Sequence, residues 1–188
     1  MDVTSDIGHT HAMPFSIEPL AFPVSAADLA ALDALLVACV RGGASIGFLE
    51  AITPSEARGY WSKTLPEAEA GRRLLLVARE AAGAPLLGCV QIAPATFPNG
   101  RHRAEVMKLL VFPEYRRRGI ATALMAETER KALARGLTLL FLDTSEGPSG
   151  AQPLYEALGY HYAGGIPGYA VDPDGTPSKN AIYFKSLA

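Results

Sequence analysis

Apolar positions along the chain switch between a helical and an alternating period, and the switches divide it into elements. Leu29, Leu32, Leu36 and Cys39 recur at helical spacing behind Ser25-Ala26-Ala27-Asp28, a helix-start signal of the capping-box kind. Gly42-Gly43 predicts the end of that helix, because glycine accepts the left-handed conformation a helix C-terminus needs. Thr53-Pro54-Ser55-Glu56 predicts a second, shorter helix to about residue 62, with proline at its first position. Two compact apolar runs follow, 74–78 and 86–92, joined by a turn with Gly83 and Pro85, and both read as strands. A loop over 94–100 precedes a strand over 104–111. Strict alternation there places Glu105, Met107 and Leu109 on one face and Val106, Lys108 and Leu110 on the other.

The next helix carries an inward stripe of Ala121, Leu124, Met125, Thr128 and Ala132, an outer Glu127–Lys131 pair, and Gly136 at its end. A nearly continuous apolar strand, 137–142, ends at Asp143. A short helix over 152–158 is closed by Gly159, and the last strands are 160–163 and 181–184. The stretch 164–180 is dense in turn dipeptides and too long for a simple hairpin connection. The expected fold is α/β of the α+β type with a mixed sheet: a polar, flexible lead over 1–13, then a single domain over 14–188.

Composition narrows the function classes. Hydrophobic residues at 49% and charged residues at 19% fit a chain that buries a core of its own. A formal net charge of −2 argues against a dedicated nucleic-acid partner, which calls for a basic excess. No apolar run approaches the roughly 20 residues that span a bilayer, and the N-terminus has no basic-then-apolar leader. The expected location is therefore cytoplasmic, with no membrane partner. Cys39 and Cys89 are expected as buried free thiols. His9 and His11 lack further ligands, so no metal is expected.

The chemistry concentrates in AEVMKLLVFPEYRRRGIAT, from Ala104 to Thr122. A strand runs into a turn with three arginines and a glycine, and the turn opens into a helix. Backbone N–H groups in a helix's first turn lack intrahelical partners, and the helix dipole favours an anion there. Gly119 and Ala121 keep that backbone approachable, while Arg116, Arg117 and Arg118 bring guanidinium groups to a pyrophosphate. The order of a Walker loop is missing, and so is a dinucleotide fingerprint.

Arg116-Arg117-Arg118-Gly119-Ile120-Ala121 resembles the Arg/Gln-x-x-Gly-x-Gly/Ala signature of the GNAT superfamily of N-acetyltransferases. Downstream, Ala151-Gln152-Pro153-Leu154-Tyr155-Glu156-Ala157-Leu158-Gly159-Tyr160 resembles that superfamily's A-x-x-L-Y-x-x-x-G-[FY] segment. Within the superfamily, several segments are similar to the tabtoxin-resistance type of acetyltransferase. These are Gly42-Gly43-Ala44-Ser45-Ile46-Gly47-Phe48, Asn99-Gly100 with Arg103-Ala104-Glu105-Val106, Leu142-Asp143-Thr144, Ile166-Pro167-Gly168-Tyr169, Pro173-Asp174-Gly175 and Ala181-Ile182-Tyr183-Phe184-Lys185. The resemblance implies the GNAT fold, a mostly antiparallel sheet flanked by helices and splayed between its fourth and fifth strands. It implies acetyl-CoA as cosubstrate in that splay, held by Leu109, Leu110 and Val111 and by Arg116, Arg117, Arg118, Gly119, Ile120, Ala121 and Thr122. One departure stands out: Pro148 occupies a position where many superfamily members carry asparagine, leaving Ser145 or Ser149 to replace its contact.

Acetyl transfer to an amine needs a base to deprotonate it, a backbone donor for the developing oxyanion, and an acid for the leaving thiolate. The resemblance implies Tyr155 as that acid, and Glu105 and Asp143 as base and ammonium-binding group in an order left open. A bulge near 109–111 is the expected source of the backbone donor. His102 is a runner-up base, and His161 reads as a bystander. The expected reaction is direct attack on acetyl-CoA by a small polar amine, amino acid-like and in the range of toxins or antibiotics. The segment 43–48 and the loop 167–169 would wall the acceptor. The alternatives are a protein or peptide N-acetyltransferase and a non-catalytic acetyl-CoA sensor. The final strands offer an edge on which a second copy could pair as a homodimer, and the oligomeric state stays open.

Overall fold

A computed structural model describes residues 15–146 and 151–187; the N-terminal lead, with His9 and His11, and the positions of Pro148 and Ser149 lie outside them. A short strand that the apolar pattern does not announce comes first, β1 (Ser16–Pro19). Four residues are too few for a readable alternation. Helix α1 (Ala26–Arg41) then starts where the pattern places it, with the Ser25 hydroxyl accepting from the Asp28 N–H at 3.0 Å. Helix α2 (Pro54–Glu69) opens with a reciprocal Thr53–Glu56 capping box. It runs well past residue 62, through Pro66. The reason is tertiary: Ala57, Trp61 and Thr64 are buried on one face, Leu65 and Ala68 extend that face, and Trp61 Nε1 donates to the Leu32 carbonyl at 3.0 Å.

Strands β2 (Leu74–Arg79), β3 (Leu86–Pro94) and β4 (Arg103–Val111) form an antiparallel meander. After α3 (Ile120–Leu133) come β5 (Leu139–Ser145), α4 (Gln152–Ala157) and β6 (His161–Gly164). The turn-dense stretch holds a small hairpin of its own, β7 (Ala170–Val171) and β8 (Pro177–Ser178), before β9 (Asn180–Ser186). Asp143 therefore lies within β5, not at its end.

The main sheet runs β1-β2-β3-β4-β5-β9-β6, antiparallel at every junction except β4–β5. That parallel junction holds only the pairs from Arg103↔Leu139 to Glu105↔Phe141, after which the two strands part. The expected splay is thus present between the fourth and fifth strands. One apolar core, with Leu76, Val90, Val106, Leu124, Met125 and Leu142, packs α3 and α4 on one face; a second, with Leu36, Trp61, Val77, Cys89 and Leu110, packs α1 and α2 on the other. Cys39 and Cys89 are free and buried.

Strict alternation fails in β4. Gln91 pairs with Met107 and Cys89 with Leu110, so β4 spends one residue more than β3 over the same span. Lys108 takes up the excess in a left-handed conformation, φ 49°. Leu110 consequently shares a face with Met107, and Leu109 packs against the core that holds Val106. The bulge sits one residue before the expected 109–111.

Candidate active site

The turn after β4 builds the first half of the site. Arg117 and Gly119 both adopt left-handed backbone, φ 61° and 80°, and Gly119 is the N-cap of α3 without offering a side-chain cap. Among the described residues, the N–H groups of residues 117–122 find no hydrogen-bond acceptor; the ladder of α3 starts with Ala123 N–H on the Gly119 carbonyl. A Cβ on Gly119 would meet nothing within 4 Å, so the space beside these donors is open. Open donors at a helix N-terminus, flanked by guanidinium groups, suit a pyrophosphate.

A cavity of about 560 Å³ fills the splay beside this turn. Leu109, Leu110 and Val111 line it from β4, and Arg116, Arg117, Gly119, Ile120, Ala121 and Thr122 from the turn and helix. Arg118 is absent from the lining: its guanidinium pairs with Glu80 at 3.2 Å and lies over the Tyr115 ring. Gly42 and Gly43, expected at the end of α1 and Gly43 also in the acceptor wall, both line this cavity, as does Cys39. Cys39 Sγ donates to the Val111 carbonyl, which also accepts from Arg116 Nε at 3.3 Å.

A second cavity, of about 310 Å³, opens on the far side of the same gap. Glu105 from β4 and Asp143 from β5 both line it, together with residues 44–47, Tyr169 just before the hairpin, and Ala170 and Ser178 from the hairpin. The hairpin tip is tied to the loop after α1 by the Glu50 N–H, which donates to the Pro173 carbonyl at 2.9 Å. Ala44, Leu109, Ala151 and Tyr155 line both cavities, so Tyr155 stands at their junction. Pro153 lies in the first turn of α4, and the Tyr155 ring packs against Tyr160 and Tyr183.

Electrostatics distinguish these groups. Burial, and then the Asp143 carboxylate, push the Glu105 pKa upward. The same two causes, in the same order, raise the Tyr155 phenol. Burial lowers Lys108, although Asp143 and Glu105 pull the other way. Alternation places Lys108 with Val106, whereas the bulge, one residue earlier than expected, sets Lys108 in the lining of the second cavity. His102 and His161 line neither cavity. No group of three or more His, Cys, Asp or Glu side chains gathers as a metal site among the described residues.

Residues 48–160 match the sequence profile of the acetyltransferase (GNAT) family. The fold is similar to an N-acetyltransferase from Staphylococcus aureus Mu50, at 18% identity and TM-score 0.75 over 93% of this chain and 99% of that one. It is similar to a provisionally assigned acetyltransferase from Salmonella typhimurium solved with its cofactor acetyl-CoA, at 15% identity and TM-score 0.73 over 93% and 94% of the two chains. A provisionally assigned phosphinothricin N-acetyltransferase matches at 20% identity and TM-score 0.73, over 93% and 99%. At such identities the likeness establishes the fold.

Proposed function

The chain belongs to the GNAT family of acetyltransferases and takes acetyl-CoA as its cosubstrate, and from that premise we propose that its acceptor is a small polar amine. The observation that carries this reading is the pair of cavities meeting at Tyr155, one beside open N–H donors and arginines, the other holding Glu105 and Asp143. Residues 117–122, with Arg116, would hold the pyrophosphate, and Leu109 to Val111 would lie along the remainder of the ligand. Acetyl-CoA supplies an activated thioester carbonyl when bound. The unpaired edge of β4 beyond Glu105 turns main-chain groups toward that space.

On the acceptor side, two carboxylates attract an ammonium group, and one of them takes its proton. Glu105 suits the base better, since its raised pKa brings it nearer to neutrality. Asp143 would then grip the acceptor. Tyr155, kept neutral by its raised pKa, holds a proton for the leaving thiolate. The wall formed by residues 44–47 and the hairpin favours a small acceptor over a protein chain, and an amino acid-like toxin or antibiotic falls within that class. No described helix is long and apolar enough to cross a membrane, and we place the reaction in the cytoplasm.

The test is acetyl-CoA-dependent thiol release against small amines, amino acids, aminoglycosides and short peptides. Selective turnover of a small amine is the expected result. Turnover confined to peptides would overturn the acceptor assignment, and acetyl-CoA binding with no turnover of any acceptor would favour a sensor.

A further inference from the structure

A cation shares the acceptor-side cavity with the two carboxylates, and the reaction as described gives it no task. Lys108 occupies the bulge of β4 at φ 49°, in a region that non-glycine residues seldom adopt. An extra residue in a strand re-aims a side chain, and this one brings Lys108 Nζ to 5.3 Å from the centroid of the Tyr60 ring. Among the described residues the ammonium has no hydrogen-bond or ion-pair partner, although Glu105 and Asp143 line the same cavity. The other cations nearby are engaged. Lys179, which also lines the cavity, pairs with Glu146 at 3.0 Å, and Arg73 bonds the Gln91 side chain at 2.7 Å. Burial lowers the Lys108 pKa, and the remaining neighbour of note is the buried Cys89 thiol. Glu105 and Asp143 act on this ammonium only through space; a partly desolvated ammonium with no directly bonded acceptor is unfavourable, and a carboxylate bound against it offsets that penalty.

We infer that Lys108 binds a carboxylate of the acceptor, so that the acceptor is an amino acid held with its amine toward Glu105 and Asp143 and its acid group toward Lys108. This assignment rests on the small-amine reading above. It differs from a role in which Lys108 merely balances the charge of the two carboxylates. In that case its removal would affect acceptors with and without an acid group alike.

The experiment measures acetyl-CoA-dependent thiol release by the full chain. The acceptors are the proteinogenic L-amino acids, β-alanine and γ-aminobutyrate, each beside its carboxamide. The wild type is expected to prefer acid over amide by about tenfold or more in kcat/KM, mainly through KM, as a charge-assisted hydrogen bond requires. Lys108→Met should erase that preference by raising KM for the acid, whereas Lys108→Arg should keep most of it. Acetyl-CoA binding reports whether each variant is folded; if Lys108→Met is not, the wild-type ratio and Lys108→Arg decide. Equal use of acids and amides by the wild type, or an equal loss on both in Lys108→Met, overturns the role of Lys108 and leaves the small-amine acceptor standing. No turnover of any free amine by a chain that binds acetyl-CoA overturns both.

Discussion

Glu105 sits half-buried opposite Asp143, and burial and that neighbour together raise its pKa above the ordinary 4.5. A raised folded pKa means that the folded state favours the protonated carboxyl. Its stabilising contribution is complete below the unfolded value and is lost as pH rises through the folded one. The ionised form needed by a base therefore weakens the fold near neutrality. Glu105→Gln should raise Tm at pH 7 with no gain near pH 4, and should lower kcat by about 10²-fold or more. A Tm that falls at both pH values would contradict this account of Glu105. In the wild type, the acid limb of kcat/KM should lie above 4.5. Tyr155→Phe keeps the ring packed against Tyr160 and Tyr183 but removes the proton. Its kcat should fall by about 10²-fold while acetyl-CoA affinity, read by calorimetry, stays near the wild-type value. An undiminished kcat across pH would remove Tyr155 from the acid role.

Among the elements, the turn into α3 and the bulge of β4 differ in how far residue types reveal them. The turn was legible: a glycine after three arginines ahead of an apolar stripe is a local signal, and Gly119 is left-handed because the chain must reverse there. Gly119→Ala should reduce stability by about 1 kcal/mol, the strain of an L-residue in that conformation. It should weaken acetyl-CoA binding by about tenfold, because the added methyl enters open space beside the cavity. Urea denaturation and a binding titration separate the two effects, and unchanged affinity would argue that the phosphates lie elsewhere. A bulge is expected near 109–111, but its place at Lys108 was not legible. Nothing in Val106-Met107-Lys108-Leu109 departs from an ordinary strand, and the extra residue appears only in the register against β3. The extension of α2 through Pro66 was hidden for a related reason, since the face it buries belongs to a core contributed by α1 and the sheet.

Across the whole molecule, the two cores lie on opposite faces of one sheet, and Arg79 fastens its β1 edge. Its buried guanidinium donates to Glu18 on β1 at 3.0 Å, to Asp28 on α1 at 2.7 Å, and to the Ala84 carbonyl at 2.6 Å. Arg79→Met leaves Asp28 mostly buried without its partner, and the expected loss is about 3 kcal/mol. It would be read as a lower urea midpoint with acetyl-CoA affinity retained, because neither Arg79 nor its partners line either cavity. A loss under about 0.5 kcal/mol would mean that the ion pair is as weak as a surface one.

The sequence alone carried the order of elements from α1 to β6 and of β9, but not β1 or the β7–β8 hairpin, together with the anion-binding turn and the residue types suited to proton transfer. Helix caps, apolar period and glycine placement are properties of neighbouring residues. Tertiary structure decided that β4 and β5 part after three register pairs, that Glu105 and Asp143 share one cavity, that Arg118 turns away to Glu80, and that Lys108 turns inward. Each of these depends on the register and packing of segments far apart in the chain, where small differences in pairing free energy, not local preference, choose the arrangement.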